Sequence, residues 1–196
     1  MSTDMKIGLF FGSFNPIHNG HLIIANHILN ETALDKIWLI ISPQNPFKKS
    51  GSLLNTYDRL HLVTKAIEND KRLKGSDIEF HLPKPSYTSA TLTYLKDKYP
   101  RYEFSIIIGS DSFQNLVKWK NYETIVNNYE LIIYKRPGFE VINNIGARVS
   151  IMNAPLLEIS ATYIRELIKK DKSIKYLVPE SIEQEVQTNR FYSQKK

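Results

Sequence analysis

Gly12-Ser13-Phe14-Asn15-Pro16-Ile17-His18-Asn19-Gly20-His21 is the stretch that decides how this chain is read. The apolar run before it, Ile7 to Phe11, predicts a buried first strand, and the apolar-rich stretch after it, Leu22 to Leu29, predicts a helix. A glycine-containing turn between strand and helix lets a phosphate approach the backbone. The helix N-terminus then adds unpaired N–H groups and the positive end of a dipole. His18 and His21 stand three apart at that entrance and can face one anion. Neither the G-x-x-x-x-G-K-[ST] phosphate loop nor the G-x-G-x-x-G dinucleotide turn is present. A His-x-x-His pair by itself reads as a metal pair or as two histidines capped in a turn. The glycines and Pro16 around this one favour a phosphate site.

Outward from the turn, apolar runs alternate with helical patterns. Strands are expected at Ile7–Phe11, Ile37–Ser42, Ile78–Leu82, Phe104–Ile108, Leu131–Tyr134 and Val149–Met152. Most are continuously apolar, as parallel strands covered on both faces are. Helices are expected at His21–Leu29, Tyr57–Asn69, Ser89–Tyr99 and Ser112–Asn127, and a closing helix over Val178–Asn189 starts at Pro179. The alternation predicts an α/β fold with a Rossmann-like, doubly wound parallel sheet in three α/β/α layers, ending in short C-terminal helices. Ligands of such sheets bind outside the carboxyl ends of the strands, which is where the first turn falls. Pro43–Leu54 reads as a long functional loop, with Asn55 or Thr56 capping the helix after it. Tyr192–Lys196 is expected to be frayed.

Composition sets outer limits. A length of 196 residues with 42% hydrophobic content predicts one domain, residues 1–196, with a real core. There are no cysteines, which excludes disulfides and thiolate metal sites. No stretch is long and apolar enough to span a membrane, and Met1–Lys6 lacks the design of a signal peptide, so a cytoplasmic location is expected. The net charge of +6 is spread over short clusters such as Lys48-Lys49 and Lys169-Lys170. That pattern fits a polyphosphate substrate and a solvated surface better than nucleic acid.

A second stretch, Ile159-Ser160-Ala161-Thr162-Tyr163-Ile164-Arg165, starts another helix. Ser160 or Thr162 can cap it, Ile164, Leu167 and Ile168 give it an apolar face, and Lys169 and Lys170 suit its C-terminal dipole. An ordinary capped amphipathic helix would look the same. Its hydroxyl, N–H and guanidinium donors also suit phosphate oxygens.

The first stretch resembles the G-x-F-[DN]-P-x-H-x-G-H signature of the nucleotidyltransferase superfamily, with seven fixed positions in register. The second resembles that superfamily's [IV]-S-[SA]-T-x-[IL]-R signature, with Ala161 where many members carry a second serine. Class I aminoacyl-tRNA synthetases share a related histidine motif but are normally much longer. Further stretches are similar to the bacterial nicotinate-nucleotide adenylyltransferase family: Ser86-Tyr87-Thr88-Ser89-Ala90-Thr91-Leu92, Gly109-Ser110-Asp111 with Trp119 about eight residues on, and Arg136-Pro137-Gly138. Asn45-Pro46-Phe47-Lys48 resembles that family's P-P-H-K, with Phe47 in place of histidine.

The resemblance implies transfer of AMP from ATP to nicotinate mononucleotide, giving deamido-NAD and pyrophosphate. Nicotinamide mononucleotide or phosphopantetheine are the alternative acceptors, and a non-catalytic nucleotide binder on the same fold is the alternative of another class. It implies His18, His21 and Arg165 as catalytic residues. Gly12, Ser13, Phe14, Gly20, Gly109, Asp111, Ser160 and Thr162 join them in holding ATP. Asn15, Lys48, Tyr87, Thr88, Trp119 and Arg136 are implied for the acceptor. Mg²⁺ is expected to arrive on the ATP phosphates, with no metal ligand named among the side chains. ATP and nicotinate mononucleotide are the expected partners, with no nucleic acid and no membrane. A homo-oligomer is left open.

Overall fold

The computed structural model describes residues 5–43, 53–155 and 157–193. Its centre is a six-stranded, all-parallel sheet in the order β3-β2-β1-β4-β5-β6. The strands are β1 (Lys6–Gly12), β2 (Lys36–Ile41), β3 (Leu73–Ser76), β4 (Glu103–Gly109), β5 (Glu130–Tyr134) and β6 (Val149–Met152). The helices are α1 (Asn19–Glu31), α2 (Thr56–Ala66), α3 (Thr88–Lys98), α4 (Ser110–Gln114), α5 (Tyr122–Asn128), α6 (Ala161–Lys169) and α7 (Glu180–Thr188). This is the doubly wound arrangement that the alternating sequence predicts, and its strand order reverses between β1 and β4.

The continuous apolar runs are explained by two cores, one on each face. Along β4, Ile107 enters the first core while Ile106 and Ile108 enter the second. The first core is closed by Ile24 and Ile28 of α1, Leu62 of α2, Ile164 of α6 and Ile182 of α7. The second is closed by Leu92 and Leu95 of α3, Phe113 of α4 and Ile125 of α5. A strand covered on both faces has no polar positions to spare.

Two expected elements are corrected. The third strand is Leu73–Ser76, and Ile78–His81 is a turn of 3₁₀ helix. β3 is an edge strand that pairs only with β2, so it needs no apolar run. Lys74 pairs across from Trp38 and sets its ammonium 4.6 Å from that ring's centre. Ile78 is apolar because it packs into the second core, not because it lies in the sheet. The helix expected over Ser112–Asn127 is broken: α4 ends at Gln114, a 3₁₀ turn covers Leu116–Lys118, and Asn121 takes a left-handed conformation (φ 55°) before α5. Asparagine tolerates that conformation better than most residues.

The C-terminus also differs from expectation. Phe191 and Tyr192 pack against the first core, and the Tyr192 hydroxyl is buried. Pro179 is the residue before α7 and not its first helical position. No helix among the described residues is long and apolar enough to cross a membrane.

Candidate active site

The site lies at the carboxyl ends of β1, β2, β4 and β5, around the point where the strand order reverses. The turn after β1 is packed by its own aromatic residues. Phe14, buried and with φ 42°, meets Phe10 and His21 edge-on at ring separations of 5.9 and 5.0 Å. Its ring occupies the space over Gly12, where a Cβ would stand 2.8 Å from it. The side chain of Phe14 therefore belongs to the core, and only its backbone is left for a ligand. Gly20 leaves similar room for the His18 imidazole, whose Nδ1 would lie 3.1 Å from a Cβ there.

His18 and His21 stack at 3.7 Å between ring centres, at the start of α1. The backbone N–H of His18 donates to Nδ1 of His21 at 3.3 Å. That bond fixes the neutral His21 tautomer with its proton on Nε2, a donor suited to a phosphate oxygen. Burial pushes the His18 imidazole down to about 4, helped by the Arg136 guanidinium. His18 is thus a neutral imidazole at physiological pH, with one ring N–H to offer. Its buried Nδ1 has no hydrogen-bond partner among the described residues.

The second stretch meets the first here. Ser160 caps α6 by accepting from the Tyr163 N–H at 3.1 Å, which settles which hydroxyl is the cap. Arg165, one turn along α6, donates to the Asn15 carbonyl at 2.7 Å and to Thr162 Oγ1 at 3.2 Å. The Asn15 side-chain oxygen accepts from the Leu54 N–H at 3.1 Å. Two segments 150 residues apart in sequence are joined by that one guanidinium.

A cavity opens beside this turn. It is lined by Gly12, Ser42, Glu79, Ser86, Tyr87, Thr88, Gly109, Ser112, Trp119, Lys120 and Tyr134, among others. Tyr87 precedes α3 and makes no side-chain cap. The first N–H groups of α3 therefore stand at the cavity wall without a side-chain acceptor. Asp111 and Arg136 stand next to Gly109 as an ion pair at 3.4 Å, without hydrogen-bond geometry at the buried Asp111 oxygen. The Arg136 backbone N–H donates to Ser110 Oγ at 2.9 Å, so the segment after β5 is tied to the start of α4. The structure thus brings Gly12, Tyr87, Thr88, Gly109 and Trp119 to one cavity and sets His18 and His21 on the turn beside it, with Arg165 reaching that turn from α6. Lys48 and Phe47 lie outside the described residues.

Three contributors went unread in the sequence. Arg59 is fully buried and donates to the carbonyls of Ser13, Ser42, Pro43 and Leu54 at 2.6 to 3.1 Å. Glu79 is buried in the cavity wall and accepts from Ser86 Oγ at 2.8 Å and Thr91 Oγ1 at 2.9 Å. Burial raises its carboxyl above the ordinary range, against the pull of those hydroxyls. Lys120 lines the same cavity with its ammonium 4.5 Å from the centre of the Tyr87 ring. Nothing in their local sequence marks Arg59 or Glu79, because all their partners come from other elements. Lys120 had one signal, its place next to Trp119. Among the described residues there is no group of three or more His, Asp or Glu side chains that could hold a metal ion.

Comparison with known proteins identifies the family. Residues 9–167 match the cytidylyltransferase-like family. The chain is 53% identical to a protein of Cytophaga hutchinsonii named "Probable nicotinate-nucleotide adenylyltransferase", over 96% of this chain and 99% of that one. It is 49% identical to a protein of the same name from Flavobacterium psychrophilum, with the same coverage. Among solved structures, the nicotinic acid mononucleotide adenylyltransferase of Plasmodium falciparum complexed with NaAD has the same fold. Its TM-score is 0.82 at 24% identity, over 96% of this chain and 97% of that one. The chain belongs to the cytidylyltransferase-like family and, within it, to the nicotinate-nucleotide adenylyltransferases.

Proposed function

We propose that the chain transfers AMP from ATP to nicotinate mononucleotide, with pyrophosphate as the second product. The observation that carries this is the juxtaposition of two sites. A turn of stacked histidines and an α6 guanidinium lies beside a cavity that offers a flat aromatic face, Trp119, and the open N-terminus of α3. The first suits a polyphosphate and the second suits a planar ring bearing a carboxylate.

A phosphate oxygen of the acceptor attacks the α-phosphorus of ATP. The new P–O bond forms as the bond to the bridging oxygen breaks, and that electron pair leaves with pyrophosphate. The acceptor phosphate is already an anion, so no general base is needed, and the protein's task is positioning and charge stabilisation. His18 donates to the α-phosphate as charge builds there. His21, Thr162 and Arg165 hold the β- and γ-phosphates. Asp111 suits ribose hydroxyls, and Trp119 stacks on the pyridine ring. Mg²⁺ bound to the ATP phosphates would neutralise part of their charge, and no side chain here is assigned to hold it.

The test is pyrophosphate release from Mg·ATP with nicotinate mononucleotide, nicotinamide mononucleotide or phosphopantetheine as acceptor. A strong preference for the nicotinate compound is expected. Preference for either of the others overturns the acceptor assignment and leaves the phosphate site in place. No release with any of them favours a non-catalytic nucleotide binder.

A further inference from the structure

A carboxylate is an awkward guest for the cavity. Glu79 is already in its wall, almost fully buried, and the Ser86 and Thr91 hydroxyls that donate to it are neutral and do not balance a charge. Bringing a second carboxylate close to a buried one is costly unless a cation stands nearby. Among the described residues that line the cavity, Lys120 is the one cation. Its position is built. The 3₁₀ turn Leu116–Lys118 ends in Trp119, Asn121 reverses the chain with its left-handed backbone, and the residue between them is thereby set at the cavity mouth. The Tyr87 ring holds the ammonium at 4.5 Å, beside the N-terminus of α3.

We infer that Lys120 is the specificity-determining cation that makes this site choose a pyridine carboxylate over the isosteric carboxamide. The inference rests on the acceptor reading above. Trp119 stacks equally well on both rings, and the α3 N–H groups can donate to the oxygen of either substituent. The N-terminus of α3 favours an anion through its dipole, and a full positive charge beside it widens the gap between carboxylate and carboxamide. The Tyr87 contact keeps the flexible lysine stem in one place, which lowers the entropy lost when the carboxylate binds.

The experiment is steady-state kinetics of wild type, Lys120→Met and Lys120→Arg with both mononucleotides at saturating Mg·ATP. Lys120→Met is expected to lower kcat/KM for nicotinate mononucleotide roughly 10- to 50-fold, mostly through KM, the scale of a charge-assisted contact. The nicotinamide compound should lose less than about threefold, and the KM for ATP should stay near its wild-type value. Lys120→Arg should restore most of the preference. Lys120 is exposed, so folding of the variants is not at risk. Equal losses on the two acceptors would mean general damage to the cavity and would overturn the inference. Wild-type preference that persists in Lys120→Met overturns it alone. A wild type with no preference overturns both it and the acceptor reading.

Discussion

The turn after β1 and the cavity beside it are built in opposite ways. The turn is one run of ten residues, locked by its own stacked histidines, a core phenylalanine and the helix it starts. The cavity draws its wall from the ends of β1, β2, β4 and β5, from a 3₁₀ turn, from the start of α3 and from a broken helix. The turn is contiguous in sequence, and Arg59 and Arg165 add two anchors from outside it, at the Ser13 and Asn15 carbonyls. An assembled wall can change one residue at a time without disturbing the phosphate side. Under the proposed function, the chemistry of AMP transfer falls to the first and the choice of acceptor to the second.

The largest expected effect breaks the turn and spares the wall. His18→Ala should lower kcat by roughly 10²–10³-fold, the scale for losing one donor to a transition state. The KM values of both substrates should move much less. A loss of tenfold or less would remove His18 from the chemistry.

Next comes the acid sensitivity that the turn's burial creates. An unfolded histidine titrates near its ordinary value of 6.5, whereas folded His18 titrates near 4. Between those values the unfolded chain binds a proton that the folded chain refuses. The folded state therefore loses stability as pH falls from 6.5 towards 4, by up to about 3 kcal/mol, and loses nothing from this source above 6.5. Urea midpoints of wild type and His18→Gln, followed over that window, should converge as the pH drops. Parallel curves would show that His18 is not the group refusing the proton.

The wall is probed separately. Trp119→Ala should raise the KM for nicotinate mononucleotide roughly tenfold, from the 1–3 kcal/mol of a base-like stack. ATP affinity should hold. A matching rise in the KM for ATP would mean that the two regions are not independent. The smallest effect is at the α6 cap. Ser160→Ala should cost about 1 kcal/mol of stability, seen as a drop of a few degrees in Tm.

The same contrast explains what could be read from the chain alone. β1, β2, β4 and β5 were legible because burial on both faces leaves a continuous apolar run. The histidine turn was legible because its residues are contiguous. β3 was misplaced because an edge strand, Leu73–Ser76, needs no such run, and buried Ile78 nearby imitated one. The break between α4 and α5 was missed because it depends on a left-handed Asn121, which a helical period does not register. Arg59 and Glu79 were invisible for a related reason. Arg59 bonds to carbonyls as far as 46 residues away, and a period counts only neighbours. Trp119 and Tyr87 were picked out one by one, but only the topology sets them on one cavity.

Arg59 has one more consequence. Its guanidinium grips Ser42 and Pro43 on one side, Leu54 on the other, and Ser13 of the phosphate turn between them. Ser13, Ser42, Pro43 and Leu54 are thereby held to one buried cation, so the turn after β1 cannot move away from the end of β2 without leaving that charge unpaired, which is costly.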